Sequence, residues 1–287
     1  LDHHSVYIPA SEKVQANESL QGNFEGIGIE FNIFQDTLVV VAALPGGPSE
    51  AVGLRAGDRI VKVNEKNIAS IKLTNRDVQK LLKGPKGTEV NIEVLRRASR
   101  TPIQFRIIRD KIPQYSIDAA YMVGPDVGYI GIQTFAKTTH EEFRKALKEL
   151  RGKGMKKLIL DLQNNGGGYM DQAIAIADDF LPAGQKIVYT DGQEKKYNQD
   201  AIATSEGDFE QGDLIVLVNE NSASASEIVA GALQDNDRAL LVGRRSFGKG
   251  LVQRPFELSD GSELRLTISR YYTPSGRSIQ KPYDEYD

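Results

Sequence analysis

The 287 residues carry 36 Lys plus Arg against 39 Asp plus Glu, a net charge of −3, so neither nucleic acid nor an anionic membrane surface is an expected partner. The absence of cysteine excludes thiol nucleophiles, disulfide frameworks and cysteine metal sites. A hydrophobic content of 40% without low-complexity tracts implies a globular chain, long enough for two domains. Its longest apolar run, Leu38 to Leu44, is too short to span a bilayer. The chain starts without an initiating Met or a signal-like segment, and so reads as an internal fragment of a longer protein.

From Phe24 onward, short apolar runs alternate with turns: GIGIEFNIF, TLVVVAAL, DRIVKVNEKNI, TEVNIEVLRR and PIQFRIIRDKI. The pattern predicts strands, interrupted by a helical stretch over 49–52 closed by Gly53, and by a helix over 75–82 between Thr74 and Gly84. Residues 22–110 therefore form one small β-rich unit. Beyond Lys111 the units lengthen: strand GYIGIQTF, helix HEEFRKALKELRGKG, strand KKLILDL, helix DQAIAIADDFL and strand KIVYT. An acidic loop over 205–213 leads to strand DLIVLVN, helix EIVAGALQD and strand RALLVG. LILDL and LIVLV are apolar on both faces, as strands covered by helices on each side must be, so residues 111–287 read as an α/β domain.

Histidine is the usual base, but His3 and His4 sit at the chain's start and His140 opens a helix beside Glu141 and Glu142, so all three are expected to be solvated. There is no HExxH, no carboxylate cluster at metal-ligand spacing and no P-loop, so no metal or other cofactor is expected. Three segments remain. In NENSASASEIVAGALQD a buried strand ends and a helix begins. Ser224 stands where the helix's first unpaired N–H groups point, a place that stabilises an oxyanion, although Ser224-x-x-Glu227 also fits a plain capping box. In RRSFGKGLVQ, Lys249 lies between two glycines. It is either a surface lysine in a turn or a lysine drawn inward, and a base at neutral pH would need its pKa to fall from about 10.4 to about 7. Arg244 and Arg245 would add like-charge pressure if they point the same way. In DLQNNGGGYM, glycines 166–168 serve as a tight turn or bring backbone N–H groups to an oxyanion. Ser246-Phe247-Gly248-Lys249 matches S-x-x-K, but its glycines oppose the helix that motif needs.

In this order, the three segments resemble the C-terminal processing peptidases, or tail-specific proteases, PDZ-containing serine peptidases with a Ser-Lys dyad. S-x-x-E matches Ser224 and Glu227, and [TS]-F-G-K-G-x-x-Q matches Ser246 to Gln253, with Lys249 at the family's spacing of 25 residues after Ser224. The D-L-R-x-N-x-G-G segment corresponds to residues 161–168, with Gln163 in place of Arg. By this resemblance Ser224 is the nucleophile, Lys249 the base and Gln253 the lysine's partner, with the N–H groups of Ala225 and Gly167 as oxyanion donors. ALPGGPSEAVGLRAGDRIVKVNEKNI is similar to a PDZ segment, and Gly26, Ile27, Gly28 and Ile29 to its carboxylate-binding loop. LDHHSVYIPASE is similar to the family's L-D-P-H-[ST]-x-Y opening, with His3 in place of Pro. The resemblance implies an N-terminal segment (1–21) packed on the protease core, a PDZ domain (22–110) inserted before it, and a crotonase-like or ClpP-like α/β core (111–287). It also implies cleavage of proteins with exposed apolar C-termini, in the periplasm or cell envelope, with homo-oligomer formation left open. Rival expectations are a catalytically silent peptide-binding protein and, with less support, crotonase-like acyl-CoA chemistry.

Overall fold

The computed structural model describes residues 2, 4–97, 99, 101–205 and 207–282, without the side chains of 14, 15 and 19; His3 lies outside the described residues. Two compact units emerge, residues 23–114 and residues 1–22 together with 115–287. The smaller unit extends beyond 110 because Asp110–Pro113 pairs antiparallel with Asn23–Gly26.

In the smaller unit the main sheet runs in the order Ile29–Phe34, Thr37–Ala43, Arg59–Val63, Glu89–Leu95, Ile103–Ile108, which leaves Ile29–Phe34 at an edge. Alternation along the strands puts Leu38, Val40, Ile60, Ile92 and Val94 in the core, all about 1% exposed or less. Helix Asn75–Leu82 closes this core with Val78 and Leu82. At its start the Thr74 hydroxyl accepts the Asp77 N–H (3.3 Å) while the Asp77 carboxylate accepts the Thr74 N–H (3.1 Å), a reciprocal cap. At its end the buried Arg109 guanidinium donates to the carbonyls of Leu81 and Leu82, 3.0 Å each, where the helix dipole favours a cation. The short helical stretch expected over 49–52 is Pro48–Ala51, with proline at its first turn.

The larger unit contains two sheets. One runs Ile117–Met122, Val127–Ile132, Lys157–Asp161, Leu214–Val218, Leu240–Gly243, the last four strands parallel. Helices Thr139–Gly152, Met170–Asp178 and Ala225–Asp235 cover it, with Phe143, Leu147, Ile176 and Val229 fully buried. The second sheet is antiparallel, centred on the long strand Glu263–Tyr272, which pairs with Val6–Ile8, Lys186–Asp191 and Leu251–Glu257. Helix Ala10–Gln21 was not expected. Its sequence, ASEKVQANESLQ, has no apolar stripe of helical period, so only its context marks it.

Asp58, 1% exposed, accepts both arms of the Arg96 guanidinium at 2.7 Å and the Arg55 N–H at 2.9 Å. Burial pushes the Asp58 carboxyl up, but the Arg96 and Arg55 bonds outweigh it and hold it below its ordinary 3.8. A carboxylate depressed in the folded state stabilises above its unfolded pKa, and that stabilisation is lost as pH falls through the folded value. Asp58→Asn should cost about 3 kcal/mol in urea unfolding of the smaller unit's transition at pH 7. The gap between variant and parent should begin to narrow below about pH 4 and close only once pH has fallen below the lowered folded value of Asp58.

Candidate active site

Three neighbouring parallel strands end on the same side of their sheet, and the residues after each one build a single site. Lys157–Asp161 leads into the glycines at 166–168, Leu214–Val218 into Ser224, and Leu240–Gly243 into Lys249. In an open α/β sheet such C-terminal strand ends are where loops converge. Gly167, Ser224, Lys249 and Gln253 line one cleft of about 690 Å³, together with Leu20, Met170, Leu251, Arg265 and Tyr271.

Ser224 caps helix Ala225–Asp235 with φ 55° and ψ −112°, a conformation that costs a non-glycine residue about 1–3 kcal/mol. Its carbonyl accepts the N–H groups of Glu227 (2.9 Å) and Ile228 (3.0 Å), and its own N–H donates to Glu227 Oε2 (2.9 Å). Those bonds cap the helix, and Ser224 and Tyr271 line the same cleft. Neighbouring serines are committed to structure: Ser222 Oγ donates to the Leu162 carbonyl, Ser226 Oγ to the Asn165 carbonyl and Ser246 Oγ to Glu227 Oε1.

Lys249 is held by its neighbours. The Gly248 N–H and Lys249 N–H donate to Glu227 Oε1 and Oε2 at 2.7 and 2.9 Å, and the Gly250 N–H to Gln280 Oε1 at 3.0 Å. Gly248 has φ +88°, and a Cβ on Gly250 would lie 2.4 Å from the Gln280 nitrogen, so both glycines are required by the backbone and by the close-packed segment 279–281. Burial in the cleft wall lowers the Lys249 ammonium from its ordinary 10.5, the Arg265 cation pushes the same way, and the Asp2 carboxylate opposes both. The like charge is thus Arg265; Arg244 is paired with Glu220. Lys249 Nζ donates to Gln253 Oε1 at 3.3 Å. The Gln253 amide donates to the His4 carbonyl, which turns its oxygen toward the lysine. Pairing slips by one residue between Val252 and Gln253, a bulge of the kind that re-aims a side chain.

The Gly167 N–H, expected as an oxyanion donor, donates to Asn165 Oδ1 at 2.9 Å. What Gly167 supplies is space: at φ +103° a Cβ would sit 2.8 Å from Ser224 Cβ and 3.0 Å from the Ala225 nitrogen. The Ala225 N–H has no partner among the described residues. In the smaller unit, Ile27 and Gly28 form the turn between Asn23–Gly26 and Ile29–Phe34, and neither N–H has a partner among the described residues. Gly28 has φ +70°. His140, expected in solvent, is half-buried and bonds Asp179 Oδ2 at 2.9 Å, because the buried Asp179 (3% exposed) recruits it.

A family model described as peptidase family S41 matches residues 126–286, and a PDZ domain model matches residues 39–96. The chain belongs to peptidase family S41. It is 39% identical to a carboxy-terminal-processing protease of Bartonella bacilliformis over 98% of this chain and 64% of that protein. It is 37% identical to a carboxyl-terminal-processing protease of Synechocystis sp. over 91% of this chain and 61% of that protein. The chain thus spans less than two thirds of these curated relatives' length. Among solved structures it is similar to the photosystem II D1 C-terminal processing protease: 31% identity, 98% of this chain, 76% of that one, TM-score 0.55.

In this S41 chain the residues that sequence reading missed are the ones that act through neighbours. Tyr271 is 5% exposed and its phenol is pushed up to about 12 by burial, against the opposing influence of the nearby Ser224 hydroxyl. Alternation of Ser269 and Tyr271 as buried positions in TISRYY was the available signal. The buried Asn165, whose amide bridges the Ile132 carbonyl and the Gly167 N–H, had none beyond its place in the glycine turn. Gly167→Ala should lower the larger unit's stability by more than about 1 kcal/mol in urea unfolding, since alanine must adopt a positive φ there and displace Ser224.

Proposed function

We propose that this chain is a serine endopeptidase of the C-terminal processing type, with Ser224 as nucleophile and Lys249 as general base. The observation that carries the reading is that both residues line one cleft while burial and Arg265 depress the lysine's affinity for its proton. Neutral Lys249 Nζ takes the Ser224 hydroxyl proton as Oγ attacks the peptide carbonyl carbon. The resulting oxyanion is held by the Ala225 N–H at the helix start, where the dipole is positive. On collapse, Lys249 returns the proton to the leaving amine, leaving an ester on Ser224. Water, deprotonated by the same lysine, then hydrolyses that ester. Gln253 fixes the ammonium between these steps, its amide oriented by the His4 carbonyl.

The PDZ unit supplies substrate capture. The unpaired N–H groups of Ile27 and Gly28 receive a C-terminal carboxylate, and the peptide adds as a strand to the open edge Ile29–Phe34. Partly buried Ile29, Phe31 and Leu81 favour apolar terminal side chains. Among the described residues no helix is long and apolar enough to cross a membrane. Action on exported or misfolded proteins in the cell envelope rests on the family resemblance.

Ser224→Ala and Lys249→Ala should each abolish cleavage of an unfolded substrate with an apolar C-terminus, and Lys249→Arg should be equally inactive because arginine stays protonated. For the parent, kcat/KM should rise with pH as Lys249 deprotonates, with a midpoint below 10.5. Turnover by either alanine variant near the parent level, read by mass mapping of the products, removes the assignment. Peptides ending in a free carboxylate should bind the intact chain, and the same peptides ending in an amide should bind at least roughly 10-fold more weakly, because the loss of a charge-assisted bond costs over about 1.4 kcal/mol.

A further inference from the structure

Glu227 is 6% exposed, and its carboxylate receives four donors. Oε1 accepts the Ser246 hydroxyl and the Gly248 N–H, both at 2.7 Å, and Oε2 accepts the Lys249 N–H and the Ser224 N–H, both at 2.9 Å. All four donors are neutral. Two of them are the main-chain amides of the proposed nucleophile and the proposed base, joined through one oxygen. A helix needs only the Ser224 bond for its cap; the three bonds to residues 246–249 are superfluous for that purpose, and they reach across to the loop after a different strand.

The structure assigns Glu227 a positioning role: its carboxylate clamps the Lys249 loop to the Ser224 turn and sets the separation of the two main chains on which proton transfer depends. The inference rests on the Ser-Lys reading of the site. It goes beyond that reading by naming a residue that touches neither substrate nor reacting atoms. A bond from Oε2 also holds the Ser224 N–H while Ser224 keeps its unfavourable φ and ψ, so the same carboxylate maintains the turn that exposes the hydroxyl.

Glu227→Asp and Glu227→Gln separate the clamp from the cap. Aspartate is as good as glutamate in a helix's first turn, but it is one methylene short of the 246–249 loop. Glutamine keeps the length and replaces one acceptor oxygen by an NH₂ that faces donors. In the intact chain, Glu227→Asp should retain the parent's amide exchange protection within residues 229–235 and lose it at Gly248 and Lys249. With an unfolded protein substrate, kcat should fall about 100-fold at unchanged KM in both variants, the scale of a small misplacement of reacting groups. Persisting protection at Gly248 and Lys249 in Glu227→Asp, or a kcat within twofold of the parent, overturns the clamp. A parent that shows no peptidase activity but whose aspartate variant loses protection only at 248 and 249 upholds the clamp and removes the peptidase reading instead.

Discussion

One buried carboxylate organises this site. Placing an anion out of water costs several kcal/mol, and a carboxylate without a cationic partner must recover that cost through hydrogen bonds. Glu227 has four, each contributing about 1.5–3 kcal/mol when the acceptor is charged. Because the four donors come from two loops, removing any one costs more than a single bond: the remaining charge is left under-solvated. The helix start at Ser224 and the turn at Lys249 are thereby a single structural unit, although a helix and a strand lie between them in the chain.

The parallel sheet explains why the pieces meet. Each parallel strand must be followed by a crossover that carries the chain back, so consecutive strand ends lie on one side, and three of them contribute the glycine turn, the serine and the lysine. Tight approach between these ends selects residues without side chains. Gly167 lies against Ala223 and Ser224, and Gly250 against Ile279 and Gln280, at distances no Cβ tolerates. The antiparallel sheet completes the cleft from the other side: its long strand brings Arg265 and Tyr271 beside Lys249 and Ser224, and a bulge aims Gln253 at the lysine. Burial of Lys249 in the cleft wall, reinforced by the neighbouring Arg265 cation, lowers the lysine's affinity for its proton.

The overall architecture, a PDZ domain with an α/β core, was legible in the sequence because its signals are local. The runs LILDL and LIVLV read as covered strands, and Thr74 and Gly84 bracket the helix found at Asn75–Leu82. Ser224 and Lys249 stood out as residue types in unusual backbone settings. Their individual readings were ambiguous because Ser224-x-x-Glu227 is also a cap, and in the folded chain Glu227 does cap that helix while it binds the lysine loop. Partnerships set by side-chain packing were illegible. The glycine run itself carries no signal of the bond from the Gly167 N–H to the Asn165 side chain two residues earlier. The His140–Asp179 bond joins residues 39 apart, and the His4 carbonyl reaches Gln253 across 249 positions; no periodicity encodes either.

The most direct test is to locate the covalent intermediate. The intact chain is mixed with an activated peptide ester, quenched in acid and digested, and the acylated residue is mapped by mass. A single ester-linked acyl group is expected on Ser224, formed in the parent and absent when Lys249 is replaced by alanine. An acyl group on any other residue, or undiminished acylation of Ser224 without Lys249, would contradict it.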